Sequence, residues 1–241
     1  MRKRARWFGM AFLVLVGFVV MPSVASPQSS VVVHVHTHAP VVALTFDDGP
    51  SSTYTPIVLD ILQRYGAHAT FFVIGKEAEQ HPQLLREIVA SHNEIGNHTY
   101  SHRVLTHASP EKVAYELGQC DRVVFEATRV HPTLFRPVEG FYDAPLTQRC
   151  AQMGYRLVLW NHDSVDWSRP SVAAIVSRTT KNVRPGDVLL FHDGGGDRSR
   201  TVAALPHVIS VLEAEGFSCV TVGELLRNQQ DRPAWWPYFR P

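Results

Sequence analysis

The chain has 241 residues, of which 45% are hydrophobic, and this is enough apolar sequence for one sizeable core. Its 23 lysines and arginines nearly balance its 22 aspartates and glutamates, so the formal net charge is only +1. A nucleic-acid-binding protein needs a basic face, and this composition argues against such a partner. The cysteines (Cys120, Cys150 and Cys219) match no metal-binding spacing. We expect buried thiols, with one disulfide and one free thiol as the alternative.

The first 25 residues have the parts of a signal peptide. A basic head over residues 2–6 precedes a nearly continuous apolar run over residues 8–21, and the small residues of "PSVAS" follow. The run is short for a membrane-spanning helix, which needs about 20 apolar residues. We expect cleavage and export, to the outside of the cell, the periplasm or the envelope; an uncleaved membrane anchor is the alternative. Cleavage leaves 19 basic against 22 acidic residues, a net charge of −3.

After a predicted linker over residues 26–40, short apolar runs alternate with segments of helical apolar spacing. Seven strands connected by helices predict one parallel α/β domain over residues 41–228, and seven in succession favour a barrel over an open sheet. The predicted strands are Val41–Phe46, Ala69–Val73, Glu94–Asn97, Thr133–Arg136, Arg156–Trp160, Asp187–Phe191 and Phe217–Thr221. The predicted helices are Pro56–Tyr65, Pro82–Ser91, Pro110–Thr128, Ala144–Met153, Ser171–Lys181 and Thr201–Glu215.

Two further segments lie outside the predicted domain over residues 41–228. The tail over residues 229–241 is rich in aromatic residues and proline. It is predicted to pack against the barrel or to seal its floor, and stacking on sugar rings is the alternative. In "HVHTH" the histidines His34, His36 and His38 share one face of an extended chain. A solvated linker strand is the prediction there, and an auxiliary metal clasp is the alternative.

Polar motifs follow five of the predicted strands. Two aspartates follow the first strand, "NHTYSH" the third, "RPVEG" the fourth, "NHDSVDW" the fifth and "HDGGG" the sixth. In a parallel barrel the carboxyl ends of the strands share one rim, where catalytic residues lie. The sequence therefore predicts one site built from these five motifs.

His98 and His102 are four residues apart, so on one helical turn both imidazoles would face a single metal ion. The spacing alone is weak evidence, because such pairs arise by chance. A carboxylate from Asp47 or Asp48 completes a three-ligand site with open positions, which suits zinc holding a water. Such a water deprotonates near neutral pH and can attack a carbonyl carbon. The second carboxylate can then accept the proton of the water.

Three further residues complete the predicted proton chemistry. Arg136 can hold the carboxylate base in place, and His192 is the best candidate for a second proton carrier. Asp166 can orient that imidazole and raise its pKa. Each has an ordinary structural interpretation when taken singly: a rim salt bridge, a turn histidine and a cap. Their shared position at strand ends favours the functional interpretation.

In chain order "TFDDGP", "HTYSH", "FRP" with its following glycine, "DSVDW" and "LLFHDG" resemble the five motifs of the polysaccharide deacetylases, the NodB-like carbohydrate esterases. The segment "ATFFVIG" matches as well, and the resemblance runs from Val41 to about Leu226. It implies a distorted (β/α)7 barrel in a single domain and metal-dependent hydrolysis of acetyl groups.

The resemblance also implies a role for each motif residue. Asp48, His98 and His102 would bind the metal, usually zinc, with cobalt or another divalent ion as the alternative. The other implied roles are a catalytic base (Asp47), an arginine that orients it (Arg136), an acid (His192) tuned by a carboxylate (Asp166), and the walls of the acetyl pocket (Trp167 and Leu190).

One motif departs from the family pattern. The family commonly has Arg, a variable residue, Pro, Tyr and Gly, whereas this chain has Arg136, Pro137, Val138, Glu139 and Gly140. In the family the residue at the Tyr position donates its backbone N–H to the oxyanion, and Glu139 retains that donor. The changed side chain lies beside the acetyl group, so substrate preference does not transfer by analogy.

The expected substrate is an acetylated polysaccharide or oligosaccharide, with the N-acetyl groups of GlcNAc units as targets, as in chitin or peptidoglycan. Removal of O-acetyl groups, as from acetyl-xylan, is the nearest enzymatic alternative. A non-catalytic carbohydrate-binding barrel is the alternative from another class. It is disfavoured because binding alone gives no reason to keep base, metal ligands and acid together.

Overall fold

The computed structural model describes residues 31–229, so the predicted signal peptide and nearly all of the aromatic tail lie outside the described residues. Within this range the strands are β1 (Val41–Asp47), β2 (Ala69–Val73), β3 (Glu94–Asn97), β4 (Leu134–Phe135), β5 (Arg156–Leu157), β6 (His162–Asp163), β7 (Val188–His192) and β8 (Ser218–Val220). The helices are α1 (Thr55–Arg64), α2 (Gly75–Gln80), α3 (Pro82–Ala90), α4 (Pro110–Thr128), α5 (Ala144–Gln152), α6 (Val172–Thr180), α7 (Ser199–Ala214) and α8 (Val222–Arg227).

The strands form one parallel sheet, in the order β5-β4-β3-β2-β1-β7-β6, and β8 pairs with the start of β1. Helices connect successive strands, as parallel pairing requires, except that only residues 158–161 separate β5 from β6, which do not pair with each other. This curled sheet confirms the predicted parallel α/β fold and agrees with a distorted (β/α)7 barrel in a single domain.

The central strand β1 fixes the position of the first polar motif. Its apolar residues after Val41 are buried, and the ring of Phe46 packs between Phe71 and Phe191 with centroid distances of 5.2 and 5.7 Å. In the parallel register Asp47 lies beside Phe72 of β2 and His192 of β7. The carboxyl ends of β1 and β7 therefore place an aspartate and a histidine next to each other.

Local sequence signals explain where several helices begin. The side chains of four N-cap residues accept a backbone N–H of the first turn: Ser109, Asp143, Ser171 and Thr221. Such caps satisfy donors that the helix itself leaves unpaired, and each stabilises its helix by about 1 kcal/mol. Apolar residues at helical spacing then turn one face inward, as Leu84, Leu85 and Ile88 of α3 do.

Three short elements were not predicted. Helices α2 and α8 have 6 residues each, and β6 has 2, so none shows a full apolar period. The fifth predicted strand, Arg156–Trp160, is shorter than expected and ends at Leu157, whereas β6 pairs separately with β7. The motif "DSVDW" therefore begins in β6, which corrects its placement after the fifth strand.

Residues 31–35, which belong to the segment predicted as a linker, pack between β5 and β7. Val32 forms a β-bridge with Val158, and His34 forms one with Asp187. The Val32 N–H donates to Leu157 at 2.9 Å, and Val32 is buried. This segment therefore supplies hydrogen-bond partners for backbone groups at the end of β5 and just before β7, where β6 does not pair.

The cysteines Cys120, Cys150 and Cys219 are buried and unbridged, as the preferred prediction had it. Burial raises the pKa of each thiol to about 12, so these thiols stay protonated. No helix between residues 31 and 229 combines the length and the apolar character needed to cross a membrane.

Candidate active site

The two adjacent aspartates at the end of β1 point in different directions. Asp47 is the last residue of the strand and is 3% exposed. Asp48 follows with φ 71°, a left-handed conformation that breaks the strand geometry. The turn therefore directs one carboxylate toward Arg136 and the other toward a pair of histidines.

Asp48, His98 and His102 converge on one point. Asp48 Oδ1 lies 3.6 Å from His98 Nε2 and 3.1 Å from His102 Nε2. One donor atom from each residue lies within 4.8 Å of the others, and residues 31–229 contain no second such group of three. His34, His36 and His38 accordingly form no metal clasp of this kind, either alone or with other described residues.

A second interaction fixes the orientation of the more buried histidine. His98 Nδ1 lies 2.7 Å from the carbonyl oxygen of Arg136, to which it donates, so the Nε2 lone pair is left for a cation. Two imidazole nitrogens and one carboxylate oxygen at these distances are a donor set that fits zinc or a similar divalent ion.

The structure corrects the predicted reason for this convergence. Residues 98–102 form a turn and not a helix, and Thr99 and His102 have positive φ angles of 69° and 53°. The turn is held by Asn97 Oδ1, which accepts from the Thr99 N–H at 2.9 Å, and by Glu116, which binds Ser101. The histidines share a face because of this pinned turn.

The pKa shifts of Asp48, His98 and His102 reflect their closeness to one another. Burial would raise the pKa of Asp48, but the hydrogen bond to His102 and the charge of His98 outweigh it and lower that pKa below its ordinary value. Burial lowers the pKa of His98, whereas the hydrogen bond to Asp48 raises that of His102. A neutral His98 is the form that ligates a metal.

Arg136 is fully buried and holds the other aspartate. Its Nη1 donates to Asp47 Oδ1 at 2.8 Å and to Thr45 Oγ1 at 2.8 Å. Its remaining nitrogens donate to the carbonyl oxygens of Val158 and Leu159, at 3.3 and 3.0 Å. The guanidinium also lies over the rings of Phe72 and Trp160, at 4.2 and 5.4 Å from their centroids.

Asp47 therefore has one occupied and one available oxygen. Oδ1 accepts from Arg136, whereas Oδ2 is 4.0 Å from His98 Nε2. A carboxylate that is fixed at one oxygen and open at the other has the geometry of a general base.

His192 and Asp166 form a second fixed pair. His192 Nδ1 lies 2.7 Å from Asp166 Oδ1, and the backbone N–H of His192 donates to Oδ2 at 2.9 Å. Burial alone would lower the pKa of His192, but the hydrogen bond and charge of Asp166 outweigh it and raise that pKa. With Nδ1 committed to the carboxylate, Nε2 is the nitrogen that can carry a transferable proton.

The remaining predicted residues lie around these groups. Leu190 is buried in β7, whereas Trp167 is 58% exposed in a 3-10 turn over Asp166–Ser168. Val165, which precedes that turn, has φ 54°, a conformation that is unfavourable for a β-branched residue. Strained residues of this kind persist only where the surrounding structure holds them in place, and they cluster at functional sites.

Glu139 lies in a second 3-10 turn, over Val138–Gly140, with φ 56°. Its side chain is exposed, and within residues 31–229 its backbone N–H has no hydrogen-bond acceptor. Its carboxylate contributes to the raised pKa of His102, after the larger effect of the hydrogen bond to Asp48. An N–H that has no acceptor within the described residues is available to a substrate oxygen.

Three supporting residues were not predicted from the sequence. Thr45 donates to the Leu189 carbonyl oxygen and accepts from Arg136, and Thr201 of α7 donates to Asp166 Oδ2 at 2.8 Å. Asp193 is buried, its Oδ1 has no partner within the described residues, and burial raises its pKa to about 7. Thr45 and Asp193 lie within the motifs "TFDDGP" and "LLFHDG", but α7 carries no sequence signal that distinguishes Thr201.

Comparisons with known proteins agree with this geometry. The family model described as polysaccharide deacetylase matches residues 34–158, and the chain is 41% identical over 203 residues to a peptidoglycan-N-acetylglucosamine deacetylase of Bacillus cereus. That alignment covers 83% of this chain and 95% of the relative. The chain belongs to the polysaccharide deacetylase family. The identity of 41% to a named deacetylase supports a hydrolase of the deacetylase class.

Other members of the family show both active and inactive forms. A chitooligosaccharide deacetylase of Sinorhizobium fredii is 38% identical, with 75% of this chain and 89% of the relative covered. The crystal structure of the Bc1960 peptidoglycan N-acetylglucosamine deacetylase superposes with a TM-score of 0.79 at 30% identity, covering 84% of this chain and 95% of that one. BA3943, a CE4 family pseudoenzyme from Bacillus anthracis, superposes with 0.78 at 25% identity, covering 85% and 71%.

Proposed function

We propose that this polysaccharide deacetylase is a metal-dependent hydrolase that removes N-acetyl groups from GlcNAc units of a polysaccharide or oligosaccharide. The observation that carries the proposal is the cluster of Asp48, His98 and His102 next to an Arg-held carboxylate. The names of the B. cereus and S. fredii relatives support N-acetylated glycans as the substrate class.

The metal site is proposed to hold zinc, and cobalt or another divalent ion fits the same donors. Asp48 Oδ1, His98 Nε2 and His102 Nε2 would be the ligands. When bound, the ion supplies Lewis acidity, which polarises the acetyl carbonyl and makes the attacking water more acidic.

The chain's own residues then move the protons. Asp47 Oδ2 accepts a proton from the attacking water, while Arg136 keeps the carboxylate in position through Oδ1. The Glu139 N–H binds the oxygen on which negative charge develops. His192 donates its Nε2 proton to the departing amine, and Asp166 stabilises the imidazolium through Nδ1. Leu190 and Trp167 are proposed to wall the acetyl pocket.

The backbone role of Glu139 can be separated from its side chain. Glu139→Ala keeps the N–H and is expected to retain substantial turnover on a small acetylated substrate. Lactic acid incorporated at position 139 is the ester counterpart of that variant: it removes the donor without constraining the backbone, whereas proline cannot adopt the φ of 56° found here. The loss of one oxyanion donor lowers the rate by about 10²–10³-fold. Turnover is measured after circular dichroism and metal content show an intact fold and an intact site. Equal losses in both variants would make the carboxylate itself a catalytic group.

The proposed role of Asp166 predicts a shift in pH dependence. An acid must be protonated, so activity falls as the pH rises through the pKa of His192. Asp166→Asn removes the charge that raises this pKa, so the alkaline limb of the kcat profile is expected to move to lower pH. Asp60→Asn, which changes an exposed aspartate on α1, is the matched control. An unmoved alkaline limb would show that another group donates the proton.

Acetate release tests the proposed function directly. Metal-loaded protein is expected to release acetate from chitooligosaccharides or peptidoglycan more efficiently than from acetyl-xylan, and removal of the metal by a chelator should abolish release. Preferential release from acetyl-xylan would instead support O-deacetylation. No release from any of the three, with metal bound, would support a non-catalytic carbohydrate-binding barrel.

Location in the cell envelope or outside the cell is part of the proposal. The peptidoglycan-directed relatives support it, since their named substrate is a wall polymer. Signal-peptide cleavage near residue 25 is proposed from the sequence, and protein sequencing of the mature N-terminus tests it.

A further inference from the structure

The carboxylate of Glu139 is an unused charge at the edge of the site. Within residues 31–229 it makes no ion pair and no hydrogen bond, and its side chain is exposed. Three residues before it, the carbonyl oxygen of Arg136 accepts from His98 of the metal-binding group at 2.7 Å, so the segment begins at the edge of the site. The proton chemistry described above uses only the backbone of this residue.

The segment around Glu139 is fixed in place. The Gly140 N–H donates to Pro137 at 3.0 Å, and the Phe141 N–H donates to Val138 at 3.2 Å. Gly140 also lies against Trp160, so closely that an added Cβ would come within 3.0 Å of that ring. Because Trp160 lies over Arg136, the turn is braced against the residue that holds the catalytic base.

Two aromatic residues follow directly in this segment. Phe141 is 54% exposed and Tyr142 is 43% exposed, so both rings offer surface to a ligand. Asp143, which comes next, caps α5 and accepts from the His107 N–H at 2.8 Å, so the far end of the segment is also anchored. Flat aromatic faces suit the apolar faces of pyranose rings.

We propose that Glu139, Phe141 and Tyr142 form a subsite for a glucosamine unit adjacent to the GlcNAc unit that is hydrolysed. The aromatic rings stack on the sugar, and the carboxylate pairs with its ammonium group. This inference rests on the proposed N-deacetylase function and adds a preference for partly deacetylated chains.

Charge complementarity is the argument for this occupant. Each turnover of the proposed reaction converts a neutral acetamide into an amine that is protonated at neutral pH. A carboxylate without a cationic partner attracts that ammonium, whereas it offers no comparable gain to a neutral acetamide. After one unit has been deacetylated, the chain therefore binds more favourably with that unit beside Glu139.

Two matched substrates isolate the charge. Both are GlcNAc oligosaccharides of equal length with one replaced unit, glucosamine in one and glucose in the other, so the number of acetyl groups is the same. An exposed ion pair gives a modest effect, and we expect the glucosamine substrate to have a kcat/KM about two- to fivefold higher, mainly through KM. The preference should shrink between about 0.05 and about 0.5 M salt, because salt screens exposed charges.

Variants assign the preference to the subsite. Glu139→Gln is expected to bring the ratio of the two kcat/KM values to about one, and Glu139→Lys to bring it below one. Glu213→Gln and Glu213→Lys change an exposed glutamate at the far end of α7 and should leave the ratio unchanged. Phe141→Ala and Tyr142→Ala should raise KM for both substrates and leave the ratio unchanged.

Several results would overturn the subsite. Equal kcat/KM values for the two substrates with the unaltered protein would do so, as would a preference that survives Glu139→Gln. Loss of bound metal in Glu139→Gln would place the carboxylate in the metal site instead. If the unaltered protein releases acetate from neither substrate, the proposed function fails, and the affinities for the two oligosaccharides then decide. Tighter binding of the glucosamine form supports the subsite, and equal binding refutes it.

Discussion

Replacing Asp47 with asparagine is expected to lower turnover by about 10²–10⁴-fold while the bound metal is retained. Asparagine has nearly the same shape, and its amide oxygen can still accept from Arg136, which binds Asp47 Oδ1 at 2.8 Å in the native protein. The amide nitrogen that replaces Oδ2 cannot accept a proton from water. The loss should therefore appear in kcat, measured by acetate release, and not in metal content.

Comparison with the metal ligands makes this prediction specific. His98→Ala removes a donor of the three-residue group and should lose both bound metal and activity. His192→Ala, like Asp47→Asn, should keep the metal and lose turnover. Elemental analysis of the purified variants distinguishes the two classes. If metal content collapses in Asp47→Asn and persists in Asp48→Asn, the roles of the two aspartates are the reverse of those proposed.

The sequence was sufficient to predict the fold and to predict that the site residues lie on one rim. Strands β1 and β2 are mainly apolar runs, β1 and β3 end at or beside polar motifs, and the predicted bounds of all three strands agree with the structure within one residue. In a parallel sheet the rule that strand ends share one edge then places Asp48 near His98 without further information. The elements that were not predicted are too short to display a hydrophobic period; β6, for example, has 2 residues.

Local backbone geometry could not be predicted from residue spacing. The spacing of His98 and His102 suggested a helix, but positive φ angles at Thr99 and His102 produce a pinned turn. Likewise, the sequence alone could not decide which aspartate meets Arg136, because the answer depends on φ at Asp48. Non-glycine residues in this region carry strain that only tertiary contacts can offset, and those contacts come from distant parts of the chain.

Replacing Arg136 with methionine is expected to lower the free energy of unfolding of the metal-free protein by about 3–5 kcal/mol. The guanidinium is fully buried, and Asp47 is only 3% exposed. Without the arginine, the carboxylate is left buried without its charged partner, and the Val158 and Leu159 carbonyl oxygens lose a donor. Chemical denaturation at constant pH measures the change.

Two further variants identify the cause. Arg122→Met removes an exposed arginine that pairs with Glu126 at 2.8 Å, and exposed pairs contribute only about 0.2–1 kcal/mol.

The double variant Arg136→Met with Asp47→Asn removes both buried charges, so it should be more stable than the sum of the two single changes predicts. Coupled neighbours deviate from additivity by about 0.5–3 kcal/mol. Strict additivity would mean that the lost packing of Arg136 on Phe72 and Trp160, and not the unpaired carboxylate, causes the destabilisation. Either result bears on catalysis, because the pairing that stabilises the folded chain is the one proposed to fix the orientation of the base.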